Sequence, residues 1–275
     1  MIIRSWLSQA KYQISGLEAE LILAKVLDQE RTFLVAHGEQ RLSGEELTLA
    51  DRMLKLRLKR VPLAYILGWK EFYGRRFQVG PEVLIPRPET EMAVELVEKW
   101  WTDGGGIVEV GTGSGCLVIT LVAELGLKQK TEIEVVGLEL SEEALKIANE
   151  NARKILGEKM KAGGMQLKLL QSDLLQNYEG EAPEVIVANL PYVDRDWEWQ
   201  SPELMYEPEL ALYAEDGGLR LIKLLLDNIQ EVWYNGGIKV LLEADLSQHQ
   251  RLITYAEDKG FRLLEIKGLW VVLRN

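Results

Sequence analysis

The chain of 275 residues has a single cysteine, Cys116, and two histidines, His37 and His249. One thiol closes no intrachain disulfide and builds no multi-cysteine zinc site. Two histidines leave little for an imidazole-ligated metal, so none is expected. Proline is sparse at 8 residues, and with 47% hydrophobic and 27% charged residues the composition is that of a folded chain. Long apolar runs are missing. Even the mostly apolar stretch Cys116–Ala123 (CLVITLVA), broken by Thr120, falls far short of the ~20 residues that span a bilayer. The opening MIIRSWLSQAKYQ has neither the apolar stretch nor the small-residue cleavage site of a signal peptide. A cytoplasmic protein with no membrane association is the expectation. Positive charge is scarce too: 32 Lys and Arg against 43 Asp and Glu leave −11. That balance argues against a protein that coats nucleic acid along its length, and no stable nucleic-acid binding is expected.

The shortage is uneven. Residues 1–85 hold 13 basic and 10 acidic side chains, whereas residues 86–275 hold 19 and 33. Arg52, Lys55, Arg57, Lys59 and Arg60 crowd into nine positions. Such a run is either a solvated helix face or a docking patch for an acidic partner.

Two textures divide the chain. From Gly16 to about Lys59 leucines and alanines recur at helical spacing (Leu17, Leu21, Leu23, Ala24, Leu27, then Leu47, Leu49, Leu54, Leu58). Thr32 and Ser43 are the expected N-caps of the second and third helices, Ser43 with Glu46 in a capping box. Residues 1–68 therefore read as a small helical bundle. Aromatic and β-branched residues around Gly74 and Gly80 predict a β-hairpin linker over 69–85. Residues 86–275 alternate. Helix 89–101, strand 107–110, helix 117–125, strand 133–138 and helix 141–156 lead to strands 167–170 and 185–188. Helix 219–232, strand 238–243 and helix 247–259 then precede strands 261–267 and 270–274. Strands separated by helices predict a Rossmann-like, doubly wound α/β sheet. The turn at Gly268 makes the closing pair antiparallel. That outline resembles the seven-stranded domain of S-adenosylmethionine-dependent methyltransferases, with its antiparallel last strand. A dinucleotide dehydrogenase would stay parallel.

Four constellations sit at the expected C-terminal ends of strands. The first is Glu109-Val110-Gly111-Thr112-Gly113-Ser114-Gly115. Alternate glycines let the backbone turn sharply and approach a ligand. The dinucleotide fingerprint fails by one residue at Cys116. A carboxylate two residues before the loop suits a cation and repels a pyrophosphate. The second, Glu139, follows Gly115 by 24 positions, near the ~20 expected of an acid that accepts from ribose hydroxyls. The third, Ser172-Asp173, falls where an adenine would lie, though an Asp after a strand is more often a turn residue. The fourth, Asn189-Leu190-Pro191-Tyr192, is the most restrictive. An amide nitrogen is a poor nucleophile, so methylating it needs acceptors for both of its N–H groups. The Asn189 side-chain oxygen and the Leu190 carbonyl can supply them, with Pro191 stiffening the turn and Tyr192 covering the planar group. Asn-x-Pro is also a common turn.

This tetrapeptide resembles the Asn-Pro-Pro-Tyr of methyltransferases that modify planar amino groups. The stretch Arg60-Val-Pro-Leu-Ala-Tyr-Ile-Leu-Gly68, then Phe72-Tyr-Gly74, Phe77-x-Val79, Val83-Leu-Ile-Pro-Arg87-Pro-Glu-Thr-Glu91 and Tyr206-Glu-Pro208-Glu-Leu-Ala211-Leu212 resembles HemK/PrmC-type glutamine methyltransferases of peptide chain release factors. The resemblance runs along essentially the whole chain. It implies S-adenosylmethionine as donor and the glutamine of a release factor's Gly-Gly-Gln tip as acceptor, with residues 1–68 recognising the substrate. It implies catalysis by Asn189, Leu190, Pro191 and Tyr192. Cofactor contacts would come from Glu109, the loop Gly111 to Gly115, Glu139, Asp173, Leu174 and Asn189. Departures are Leu190 for the usual Pro, Glu109 and Glu139 for Asp, Leu174 for a frequent Trp, Ser247-Gln-His-Gln250 for a Gln-Gly, and a C-terminus without Asp-x-x-Gly-x-x-Arg. An adenine-N(6) methyltransferase of DNA or RNA uses the same motif geometry and predicts a basic groove. A non-catalytic adaptor on the same scaffold predicts erosion of the glycine loop, Glu139 or Asn189.

Overall fold

The computed structural model describes residues 1–102, 104–128, 133–198, 201–234 and 236–275. They fall into two compact units, Met1–Lys70 with Ser201–Tyr206, and Glu71–Gln200 with Glu207–Asn275.

The first unit is helical: α1 (Ile3–Ala10), α2 (Gly16–Leu27), α3 (Arg31–Ala36), α4 (Gly44–Leu58) and α5 (Leu63–Leu67). Its core gathers Ile3, Trp6, Ile22, Leu23, Leu34 and Met53. Two reciprocal capping boxes start the longer helices, Ser15 with Glu18 on α2 and Ser43 with Glu46 on α4. Thr32 does not cap its helix. It lies inside α3, which begins a residue earlier behind an extended Glu30 that makes no side-chain cap. Helix α1, absent from the periodic reading, is eight residues long and too short for a repeating stripe. Trp6 fastens it by donating its indole N–H to Asp51 at 2.8 Å. Within the basic run, Arg57 is committed to structure. It pairs with Glu18 at 2.6 Å and Glu203 at 2.7 Å and donates to the Val61 carbonyl. Arg52, Lys55, Lys59 and Arg60 are exposed.

The hairpin of β1 (Trp69–Phe72) and β2 (Arg75–Gln78) turns through Tyr73 and Gly74, with φ of 48° and 72°. Positive φ at both central residues is what a right-twisted two-residue turn requires. After a 3-10 turn, Pro88–Glu91, come α6 (Met92–Trp100), β3 (Ile107–Val110), α7 (Cys116–Leu125), β4 (Ile133–Glu139), α8 (Glu142–Leu156), β5 (Lys161–Ala162), β6 (Met165–Gln171) and β7 (Val185–Ala188). The series ends with α9 (Arg220–Val232), β8 (Lys239–Glu243), α10 (His249–Asp258), β9 (Arg262–Lys267) and β10 (Trp270–Arg274).

Strands β3 to β10 form one sheet in the order β5-β6-β4-β3-β7-β8-β10-β9. The seven expected strands are joined by an eighth, the two-residue β5, antiparallel on the edge of β6. Strands β6, β4, β3, β7 and β8 run parallel. The closing β10 lies antiparallel between β8 and β9. The central strands are buried on both faces. Ile107, Val185 and Val187 face one core with α6 and α7, while Val108, Val110 and Ile186 face another with α9 and α10. An apolar sandwich of this kind holds the strands rigidly and leaves function to their C-terminal edge.

Candidate active site

Five neighbouring parallel strands deliver a row of polar groups to that edge. In sheet order they are Asp173 after β6, Glu139 ending β4, the glycine loop after β3, Asn189 after β7 and Glu243 ending β8. Beside the row lies an open cleft of about 180 Å³, lined by Gly111, Gly113, Glu139, Asp173, Leu174, Asn189, Leu190 and Pro191. Residues 82–84 with Pro208, Leu210 and Ala211 add to its wall. Most of the residues expected to share a ligand are thus brought together.

The glycine loop is shaped by hydrogen bonds from behind. Gly111 and Thr112 both donate their N–H to the Leu138 carbonyl, and Asn151 Nδ2 donates to the Ser114 carbonyl at 2.8 Å. Gly111, Gly113 and Gly115 all have positive φ, of 80°, 55° and 80°. A Cβ on Gly113 would meet nothing within 4 Å, so its backbone borders open space. Gly115 serves a different purpose: a Cβ there would lie 2.6 Å from Ile119 Cδ1 and 3.3 Å from Ala148 Cβ, so it lets α7 and α8 pack closely. Thr112 and Ser114 are buried and stand behind the cleft lining, as does Glu109. The alternation of glycines marked the loop, and it did not show which of its side chains turn away.

Glu139 is held at both oxygens. Oε2 accepts the Gly113 N–H at 2.7 Å and Oε1 the Ser141 N–H at 2.9 Å. Each oxygen keeps a further lone pair for a hydroxyl donor. Ser141 caps α8, accepting from the Ala144 N–H. Buried Ser172 shapes the next loop: its hydroxyl donates to the Leu174 carbonyl and accepts the Asn177 N–H. Leu174 is thereby held at φ 49° with Asp173 exposed beside it.

The turn after β7 rests on a network that joins it to Thr90, from the stretch 83–91, and to Glu243, which belongs to none of the motifs. Asn189 Nδ2 donates to Thr90 Oγ1 at 3.0 Å, Thr90 donates to Glu243 Oε2 at 2.8 Å, and the Tyr192 hydroxyl donates to Glu243 Oε1 at 3.1 Å. Tyr192 is drawn toward Glu243 and does not line the cleft. Gln248 Nε2 bonds the Tyr192 carbonyl from below at 2.7 Å. Leu190 is buried against Gly111, and its carbonyl accepts no hydrogen bond among the described residues. Neither does Asn189 Oδ1. The missed signal was Glu243 itself, a carboxylate ending a buried apolar strand as Glu139 does.

Burial governs the ionisation of these acids. Glu109, 3% exposed, is pushed up to about 8 by desolvation, which the Thr112 side chain and the Val118 N–H offset only in part. Its Oε2 has no hydrogen-bond partner. Desolvation likewise lifts Glu243 to about 7 against the lowering effect of its Thr90 and Tyr192 donors. Burial, then the Glu243 charge, pushes the Tyr192 phenol up, and burial does the same to the Cys116 thiol.

Residues 3–68 match the PrmC N-terminal domain family, and residues 87–191 match the ribosomal protein L11 methyltransferase (PrmA) family. A release factor glutamine methyltransferase of Neisseria gonorrhoeae is 33% identical over 267 residues, covering 97% of this chain and 93% of that protein. Its counterpart from Coxiella burnetii is 34% identical over 249 residues, covering 90% and 84%. The chain belongs to the release factor glutamine methyltransferase family. It spans 51% of the length of a bifunctional methyltransferase of Rickettsia bellii, to which it is 29% identical over 94% of its own length. In fold it is also like the hMettl16 catalytic domain solved with a MAT2A 3'UTR hairpin, at a TM-score of 0.57 and 15% identity, covering 92% and 90% of the two chains.

As a member of this family the chain is an S-adenosylmethionine-dependent methyltransferase, and the cleft fits that cofactor. Gly113 leaves open space where a side chain would block a ligand. Glu139 offers acceptors for vicinal hydroxyls, and Leu138, Leu140 and Leu174 give an apolar wall for a purine. Behind the loop stands Glu109, whose Oε2 is unpartnered and whose carboxyl burial keeps protonated at neutral pH. Among the described residues no cluster could hold a metal ion, and no helix is long and apolar enough to cross a membrane.

Proposed function

We propose that this protein methylates the side-chain nitrogen of the glutamine in the Gly-Gly-Gln loop of peptide chain release factors, in the cytoplasm. The observation that carries the reading is the pair of unpartnered acceptors beside the cleft, Asn189 Oδ1 and the Leu190 carbonyl. A primary carboxamide has two N–H groups in one plane, and two neutral acceptors hold them without demanding an anion. With both hydrogens engaged, the nitrogen lone pair is left facing the cleft and is enriched in electron density. Positioning of this kind supplies much of a transfer barrier when no strong base is present. S-adenosylmethionine, when bound, supplies the electrophilic methyl group on its sulfonium and leaves as the neutral thioether, while the methylated nitrogen gives up one of its two protons to solvent. Glu139 holds the ribose hydroxyls, Gly111 and Gly113 let the loop approach, and Asp173 accepts from the adenine amino group beside Leu174. Pro191 stiffens the turn, and Tyr192, tied to Glu243, keeps it in place. Residues 1–68 recognise the body of the release factor, with exposed Arg52, Lys55, Lys59 and Arg60 as the docking charges.

The deciding experiment is methyl transfer from labelled S-adenosylmethionine to a purified release factor, with the modified residue mapped by mass spectrometry. Label on the Gly-Gly-Gln glutamine, lost when that glutamine is replaced, supports the reading. Strong methylation of adenine in DNA or RNA, with none on the release factor, overturns it. The excess of 33 acidic over 19 basic residues in 86–275 speaks against a nucleic-acid groove.

A further inference from the structure

A carboxamide can face a cleft with its oxygen or with its NH2, and only the first orientation accepts from a substrate amide. The choice at Asn189 is made two residues away. Thr90 has one hydroxyl proton and is 4% exposed; Glu243 is 1% exposed. An ionised carboxylate can only accept, so the Thr90 proton goes to Glu243 Oε2, 2.8 Å away. The lone pairs of Thr90 then remain as acceptors, and the half of Asn189 that meets them at 3.0 Å must be the donor Nδ2. Oδ1 is left on the cleft side. The second oxygen of Glu243 takes the Tyr192 hydroxyl, so one carboxylate orients both ends of the Asn189–Tyr192 turn.

We propose that Glu243, acting through Thr90, is a positioning residue that sets the orientation of the Asn189 carboxamide, and that its protonation reverses that orientation. The proposal rests on Asn189 being the acceptor for the substrate amide. A protonated Glu243 donates its own hydrogen to Thr90, whose proton then turns toward Asn189. The carboxamide rotates to meet it with Oδ1 and presents NH2 to the cleft, where it repels the substrate's N–H groups. The charged and titratable groups around Glu243 are few. Arg87 and Glu89 act on it from the segment before α6, Arg87 being paired with Glu207 at 2.7 Å. Tyr192 and Cys116 face it from the β7 turn and the start of α7, and Asp245 acts on the same Tyr192. Desolvation holds the Glu243 carboxyl near 7, so the reversal falls at neutral pH and the ionised, competent form prevails above it.

The primary test needs no turnover. In the full-length protein labelled with 15N-asparagine, the Asn189 side-chain NH2 signals, assigned with Asn189→Asp, are followed by NMR from pH 5.5 to 8.5. The expected result is a titration centred near 7 that vanishes in Glu243→Gln and in Thr90→Val. In parallel, kcat on the release factor falls roughly 10- to 100-fold in Glu243→Gln. Its acid limb disappears, S-adenosylmethionine affinity stays within about threefold, and Thr90→Ser, unlike Thr90→Val, restores turnover. Asn189 signals indifferent to pH in the parent overturn the proposal. So does a Glu243→Gln protein with parental kcat and an unchanged acid limb. A parent that titrates as expected yet leaves the release factor unmethylated supports the relay and refutes the substrate reading alone.

Discussion

Replacing Glu139 by alanine tests the cofactor site most directly. The carboxylate accepts the Gly113 N–H at 2.7 Å and the Ser141 N–H at 2.9 Å, so it braces the glycine loop against the start of α8. Its remaining lone pairs are the proposed acceptors for the two ribose hydroxyls. Hydrogen bonds to a charged group contribute about 1.5–3 kcal/mol each. Losing one such net contribution, with the other recovered by water, weakens binding by roughly one to two orders of magnitude. Glu139→Gln keeps one acceptor oxygen but points an NH2 at a backbone N–H, so its affinity should fall between parent and alanine variant. Isothermal titration with S-adenosylmethionine gives the affinities, and thermal unfolding without ligand reports how much of the effect is loosening of the loop. An isotherm for Glu139→Ala that matches the parent's would falsify the assignment of this carboxylate to the ribose.

Asn189→Ala should cut turnover on the release factor roughly 100- to 1000-fold while changing S-adenosylmethionine affinity little, as single-turnover kinetics and titration will show. Glu109 makes stability depend on pH with a definite sign. Its folded value of about 8 lies above the ordinary 4.5, so the folded state holds a proton that the unfolded state loses. Stability should therefore fall between pH 4.5 and about 8, by roughly 2–5 kcal/mol. Denaturant titrations at pH 5 and pH 9 should show Glu109→Gln free of most of that loss, and equal slopes in both proteins would sink the argument. At Gly218, φ is 81° and a Cβ would lie 1.9 Å from the Tyr192 carbonyl and 2.3 Å from Gln248 Nε2. Gly218→Ala should cost roughly 2 kcal/mol or more and lower kcat by displacing the motif's support; parental unfolding and kinetics would show that the turn can give way. Reversing Lys55, Lys59 and Arg60 to Glu should raise KM for the intact release factor without altering cofactor affinity, and an unchanged KM would make the basic run a solvated face only.

Much of this molecule was legible from its sequence because the signals are local. Helix α8 announces itself through Ser141 and a periodic stripe, the glycine loop through residues that only a turn at positive φ needs, and the closing hairpin through Gly268 at φ 58°. The alternation of helix and apolar strand implied a parallel sheet, which in turn placed Glu139, Asp173 and Asn189 along one edge. Features that join distant parts of the chain were not legible. Nothing in the spacing says that Thr90 meets Glu243, 153 residues later, or that Glu207 takes the Ile85 N–H and the Arg87 guanidinium. Nor does it say that Arg57 is spent on Glu18 and Glu203. Within the glycine loop the sequence marked residues 111–115 as a group, and only the packing of α7 on α8 decided that Gly115 serves contact between helices and that Thr112 and Ser114 turn inward. Backbone propensity and hydrophobic period act over a few residues and can be read along the chain. The orientation of a carboxamide, or the ionisation of a buried acid, depends on neighbours that only the folded sheet brings within 3 Å.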